Sequence, residues 1–233
     1  MRYLHLDTIW VQGAMRVRKP QTIELEYVQR MMAWLLLRPL ETLADSHAVQ
    51  LGLGAAALTK FCHRLLGMRT TAVELNPSVI QACRLWFHLP PDGERLEVLE
   101  EDAGAYVQRA ETGSADVLCV DLYDHEAASP VLDDAAFYAD CFRLLADGGV
   151  LSVNLFGRDA SFATSAARIV AAFGRANVWT MRPTREGNTI VLATKNVAMP
   201  ERAVLVERAE VVQSTYELPA KKWVRMIRMG VDG

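Results

Sequence analysis

The stretch 47–54, reading HAVQLGLG, decides the fold. An apolar run, 48–51, ends in Gly52 and Gly54, and a helical pattern begins at once in AAALTKF. That is a strand, a glycine turn and a helix N-terminus. The next apolar run, 71–75, carries an acid, Glu74, near its C-terminal end. In doubly wound α/β folds the glycine turn lets a ligand approach the backbone closely. The acid about twenty residues further on accepts hydrogen bonds from ribose hydroxyls. The pair points to a site for an adenosine-containing ligand. Ala57 stands where a third glycine would complete the fingerprint, and a bare G-x-G is also an ordinary tight turn. The rest of the chain has to separate these readings.

Working outward, the pattern alternates. A helix is expected over 55–66 and a second strand over 71–75. Asn76 and Pro77 then start a helix as N-cap and first helical residue, and Pro90 and Pro91 close it. A third strand is expected over 96–99, followed by Asp102 and a short helix. The run 115–120 is apolar throughout, as suits a strand covered on both faces, and Asp121 stands at its end. Asp133 is read as the N-cap of the next helix, Gly148 and Gly149 as its end, and 150–155 as the fifth strand. A helix over 159–173 precedes two β runs, 176–181 and 189–194. Their short linker pairs them as an antiparallel hairpin at the sheet edge. Five alternating strands and a closing hairpin predict a Rossmann-like S-adenosylmethionine-dependent methyltransferase fold. Its sheet is expected to be seven-stranded and mostly parallel, with a terminal antiparallel hairpin.

Before this unit, residues 1–17 read as a short hairpin or lid. A helix then carries Ile23, Tyr27, Val28, Met31, Met32 and Leu35 at helical spacing, with Glu24 and Glu26 in its first turn, where the dipole favours acids. After it, 200–233 read as amphipathic helical pieces that pack on the rest or form a dimer surface. The division is therefore 1–45, an N-terminal β-lid and lead-in helix; 46–199, the nucleoside-binding catalytic domain; and 200–233, a helical tail. The net charge is −3, which gives no basic footprint for nucleic acid. The longest apolar stretch, 31–37, is far too short to span a bilayer, so no membrane partner is expected. Cys62, Cys83, Cys119 and Cys141 are widely spaced in apolar patterns. They read as buried hydrophobes in a reducing, cytoplasmic compartment, with no disulfide framework and no metal site. A homodimer is expected.

The ligand of such a sheet lies across the carboxyl ends of the strands, beside the first one. Four acids fall there: Glu74, Asp102, Asp121 and Asp124. Asp102 also suits the cap of the helix after it. A carboxylate pair over a cationic sulfonium ligand suits attack by an amine on a carbon bonded to sulfur. An ammonium has no lone pair, so one carboxylate must take its proton. The second orients a further ammonium group. His125 is a rival base, and Tyr123 is placed to stack on a flat or cationic group. A loop acid capping a turn is the plain alternative for either aspartate.

These residues resemble the spermidine synthase (polyamine aminopropyltransferase) family. QLGLGAAAL matches its glycine loop, AVELN its acidic second strand and LEEDAGAYV its Asp-Gly/Asp-Ala segment. VDLYD matches its D-x-x-D, and FYADCFRLLADGGVLSVN the helix and strand that follow. ELEYVQRMMAW is similar to the helix before its nucleotide domain. The resemblance implies decarboxylated S-adenosylmethionine as co-substrate, no tightly bound cofactor, and a small-molecule amine as acceptor. It places Gly52 and Gly54 in the nucleoside loop, Glu74 at the ribose, Asp102 with Ala103 at the adenine edge and Gln12 near the nucleoside. Asp124 becomes the proton acceptor and Asp121 its partner at the amine. Several positions depart from the family. Its G-G-G-D-G loop has an aspartate that helps hold the polyamine; Ala55 occupies that position, and Leu53 replaces the middle glycine. The family's Tyr-His-Glu on the preceding helix is not reproduced, Tyr27, Val28 and Gln29 standing in that region, and His125 stands where the family has proline. These departures predict either an altered amine substrate, other than putrescine, or loss of the aminopropyl reaction. Two further readings use the same fold: a methyltransferase consuming S-adenosylmethionine itself, and a nucleoside-binding homologue without catalysis.

Overall fold

The computed structural model describes residues 1–5, 11–122, 130–156 and 160–230, apart from the side chains of 130, 133, 160 and 161. In chain order, β1 (Arg2–Leu4) and β2 (Gly13–Met15) pair as a small antiparallel ribbon. Next come α1 (Glu26–Met31), a 3₁₀ turn (Met32–Leu36), β3 (His47–Leu51) and α2 (Ala57–Lys60), the last running into a π turn (Phe61–Leu65). The alternation continues through β4 (Arg69–Glu74), α3 (Pro77–Trp86), β5 (Leu96–Glu100), α4 (Ala103–Arg109) and β6 (Ala115–Val120). Then follow α5 (Ala135–Leu144), β7 (Leu145–Phe156), α6 (Ala160–Phe173), β8 (Val178–Met181) and β9 (Asn188–Thr194). The chain closes with α7 (Arg202–Tyr216), α8 (Ala220–Met226) and β10 (Ile227–Met229).

The sheet order is β10-β8-β9-β7-β6-β3-β4-β5. From β5 to β7 every pairing is parallel, and β9 enters antiparallel between β7 and β8. The strand order reverses between β3 and β6, so the switch point lies beside the glycine loop. The seven expected strands are all present. The terminal hairpin, however, is not the edge: β10 pairs antiparallel outside β8. The tail therefore ends in a strand as well as helices.

Alternate residues of the central strands face two cores. On one face Ala48, Val117 and Cys119 meet Met31–Leu36, Leu58, Leu205, Val212 and Trp223. On the other, Val49, Leu51, Leu118 and Val120 meet Val107, Phe137, Leu144 and Ile169. Burying one such side chain contributes about 1.5–3 kcal/mol, so both layers of helices are held on the sheet. Met31–Leu36 is enclosed on every side, as an all-apolar run requires. The carbonyls that its 3₁₀ geometry leaves free are still met: Ser152 Oγ donates to Met31 O at 2.8 Å and Arg208 Nη1 to Leu36 O at 3.0 Å. The tail thus caps the lead-in segment.

Among the boundaries that differ from those expected, three bear on the site and its supports. Asp134, not Asp133, caps α5, accepting from Ala136 N at 2.8 Å. α5 ends at Leu144, ahead of Gly148 and Gly149, which lie inside β7. The register there slips: Ala115 faces Leu145 and Val117 faces Val150, so the residues between bulge out. The third difference is the start of α1. It begins at Glu26 with Leu25 as an uncapped N-cap, which leaves Glu24 outside the helix. Asn76 caps α3 as expected, accepting from Ser78 N at 2.9 Å with Pro77 in the first turn. The four cysteines are buried and free, and no described helix is long and apolar enough to cross a membrane.

Candidate active site

The glycine loop is shaped by its neighbours. Gly52 has φ +84°, and a Cβ there would lie 2.1 Å from the Asp121 carbonyl oxygen, so a side chain is excluded twice over. The loop and the end of β6 are tied by the main chain: Asp121 N donates to Leu51 O at 2.9 Å and Gly52 N to Val73 O at 2.8 Å. The close approach of β3 to β6 brings Asp121 to the loop. Ala56 also adopts the left-handed region, at φ +56°, without being glycine. That costs about 1–2 kcal/mol, and Ala56 is fully buried.

Glu74 closes the loop from the side. Its Oε2 accepts from Leu53 N and its Oε1 from Asn76 N, both at 2.9 Å. The carboxylate is thereby fixed at the carboxyl end of β4, and each oxygen keeps a free lone-pair direction. Asp102 is engaged as the N-cap of α4, its Oδ1 accepting from Ala105 N at 2.9 Å. The capping reading accounts for that oxygen. The exposed Oδ2 and the N–H of Ala103, which no turn of α4 can satisfy, are left for another partner.

The acid at the end of β6 sits in a different environment. Asn154 on β7 donates its Nδ2 to Asp121 Oδ1 at 2.8 Å. Asn188 at the start of β9 donates in turn to Asn154 Oδ1 at 3.2 Å. Tyr27 on α1 gives Asp121 a second hydrogen bond. Burial pushes the Asp121 carboxyl above the ordinary carboxylate range, and the bonds from Asn154 and Tyr27 only partly offset it. Sequence reasoning missed Tyr27, Asn154 and Asn188 as a cluster. The available signal was an asparagine inside the otherwise apolar strand VLSVNLF, since a buried amide needs partners. Tyr123, Asp124 and His125 lie outside the described residues.

A cavity of about 20 Å³, room for about one water, joins these parts. Its walls include Gln12, Glu24, Tyr27, Gln50, Ala55 and Asp121. Three site residues named from the sequence thus line one cavity, Gln12, Gly54 and Asp121; Gly52 and Glu74 adjoin it through the glycine loop, Glu74 by its bond to Leu53 N. Ala55 is buried against the ribbon, for a Cβ on Gly13 would lie 2.4 Å from its own. The backbone of β2 therefore occupies the space next to residue 55.

The spermine/spermidine synthase domain family matches residues 59–196, more than half of the chain. The chain belongs to the spermine/spermidine synthase family. Its matched span includes Glu74, Asp102, Asp121, Asn154 and Asn188; the glycine loop and α1 precede it. Similarity nevertheless reaches further. The polyamine aminopropyltransferase of Neisseria meningitidis serogroup A is 30% identical over 220 residues, covering 94% of this chain and 82% of that protein. Two solved structures share the fold. Human methyltransferase-like protein 13 in complex with SAH has a TM-score of 0.70 at 22% identity, over 83% of this chain and 93% of that one. A probable spermidine synthase from Corynebacterium glutamicum has a TM-score of 0.69 at 20% identity, over 88% and 78%. Within the family, Ala55 and the segment 27–29 remain departures from the resemblance described above, and the structure gives residue 55 a packing partner in Gly13.

Proposed function

We propose that the protein transfers an aminopropyl group from decarboxylated S-adenosylmethionine to an amine. The observation that carries this reading is Asp121: a half-buried carboxylate held by Asn154, with raised proton affinity, beside a glycine loop at the sheet's switch point. In the reaction a free amine nitrogen attacks the carbon bonded to the sulfonium sulfur. The C–S bond breaks, its electron pair goes to sulfur, and methylthioadenosine leaves. The proton shed by the nitrogen passes to a carboxylate. A base works best when its pKa approaches the working pH, and the setting of Asp121 moves it that way. This supports Asp121 as the acceptor, with Asp124 as the second acid at the amine, the reverse of the roles that the family resemblance suggests.

The nucleoside half is assigned on its backbone. Gly52 and Gly54 make room for the ligand, Glu74 takes the ribose hydroxyls, and Asp102 with Ala103 takes the adenine edge. Gln12 stands over the reacting end. The cavity is too small for an amine chain, so segment 12–14 shifts off Ala55 when the substrate enters. The relatives' name supports the activity. A homodimer and a cytoplasmic location belong to the same reading, and the exposed Tyr3, Leu85 and Trp86 offer apolar surface for a second copy.

The test is incubation with decarboxylated S-adenosylmethionine and a panel of monoamines, diamines and polyamines. Methylthioadenosine release with at least one amine is expected. No release above background with any of them would remove the proposal.

A further inference from the structure

A second, larger hollow lies between α1 and α8. It measures about 330 Å³, at the lower end of the range for small-molecule sites, about 300–1,000 Å³. None of its lining residues lines the cavity beside the glycine loop. Its two walls do not match. α1 presents Glu26, Gln29 and Arg30, which are polar. The α8 side presents Pro219, Trp223 and Met226, which are apolar. Each set recurs at three- and four-residue spacing, so each helix turns a single face to the groove. Polar groups gain nothing by closing on an apolar surface, and the groove stays open. An occupant with an apolar body and a polar group satisfies both walls.

Charge decides what that polar group is. Arg30 donates from Nη2 to Glu26 Oε1 and from Nη1 to the carbonyl of Arg182, just beyond β8. Its side chain is 8% exposed, so this cation is held in place and its charge is met by Glu26. The two bonds use two of the five guanidinium N–H groups. Lys222 brings a second cation to the groove. It is exposed, and its side chain makes no hydrogen bond or ion pair among the described residues. The groove therefore carries one positive charge in excess. A carboxylate, sulfonate or phosphate group at Lys222 balances it, and Arg30 has N–H groups left to offer the same oxygens. An ammonium would find only Glu26, which Arg30 already occupies.

We propose that the groove between α1 and α8 is a second ligand site, for a small organic anion with an apolar body. It does not depend on the proposed aminopropyl transfer, and its test needs no turnover. The full-length protein is titrated by fluorescence with 8-anilinonaphthalene-1-sulfonate and with N-phenyl-1-naphthylamine, the same rings without the acid. The sulfonate is expected to bind at least about tenfold tighter than the neutral dye, as one charge-assisted contact allows. Lys222→Glu removes that advantage and leaves the neutral dye within about twofold. Arg225→Glu makes the same change of charge on the same helix but away from the groove lining, and it keeps the sulfonate within about twofold of wild type. Saturating S-adenosylmethionine leaves the sulfonate bound. No preference for the sulfonate in the wild type, an undiminished preference in Lys222→Glu, or an equal loss in Arg225→Glu each overturns the site. Displacement of the sulfonate by S-adenosylmethionine does so too, because it moves the dye to the nucleoside cavity.

Discussion

The two halves of the proposed site are made differently. The nucleoside half is built by the backbone. Gly52 is shaped by a carbonyl, and Glu74 is fixed by two main-chain N–H groups within a few residues of the loop. The amine half is built by side chains from distant parts of the chain: Glu24 and Tyr27 before and on α1, Asp121 after β6, Asn154 on β7 and Asn188 on β9. Local geometry is set by a few neighbouring residues and changes little when one side chain is exchanged. Convergent side chains can be retuned one at a time. A fold shared with a methyltransferase-like protein can therefore keep one half and alter the other.

Four substitutions probe this contrast. Asp121→Asn should have the largest effect, cutting methylthioadenosine release by about 100- to 10,000-fold, the range for a lost general base. It should not unfold the protein. The Asp121 carboxyl is raised in the folded state, so wild-type stability falls as pH rises from the ordinary carboxylate value through the raised one. The asparagine variant lacks that slope and should melt at or above the wild-type temperature at neutral pH. A lower melting temperature there would mean that Asp121 is chiefly a structural group.

Gly52→Ala should damage both halves together. Left-handed backbone and overlap with the Asp121 carbonyl predict a loss of about 3 kcal/mol or more in denaturant unfolding. A variant of wild-type stability would show that the loop is not locked to β6. Glu74→Gln should separate the halves. One acceptor pairing with the loop is weakened, costing about 1–2 kcal/mol, and nucleoside affinity falls about tenfold. Diamine affinity measured by calorimetry should stay within twofold (about 0.4 kcal/mol), and a parallel loss would join the halves into one unit. Ala56→Gly is the smallest. It relieves left-handed strain but adds unfolded-state entropy and removes a buried methyl, so a stabilisation of no more than about 1 kcal/mol is expected in thermal melts. A clear destabilisation would show that the buried methyl outweighs the strain.

The same contrast explains what could be read from the sequence. Gly52, Gly54 and Glu74 were legible because a strand, a turn and an acid at fixed offset have one geometry. The order of β3 to β9 followed from alternation and from the short linker between β8 and β9. Glu24 was misplaced because the apolar spacing from Ile23 suggested an early helix start, whereas α1 opens at Glu26. Tyr27 read only as part of a helix's apolar face, and Asn188 only as part of a linker. Their meeting with Asp121 depends on how α1 and β9 lie against β7, which is set by sheet register. β10 was hidden in a helical pattern: Ile227, Arg228 and Met229 are too few to show a period, and only the open edge of β8 recruits them.

The proposed aminopropyl transfer and its rival, methyl transfer, part at the nucleoside product. The most direct measurement supplies S-adenosylmethionine and its decarboxylated form together, in equal amounts, with 1,4-diaminobutane, and follows both nucleoside products by mass spectrometry. Aminopropyl transfer gives accumulation of methylthioadenosine, with S-adenosylhomocysteine at background. Accumulation of S-adenosylhomocysteine, with methylthioadenosine at background, would contradict it.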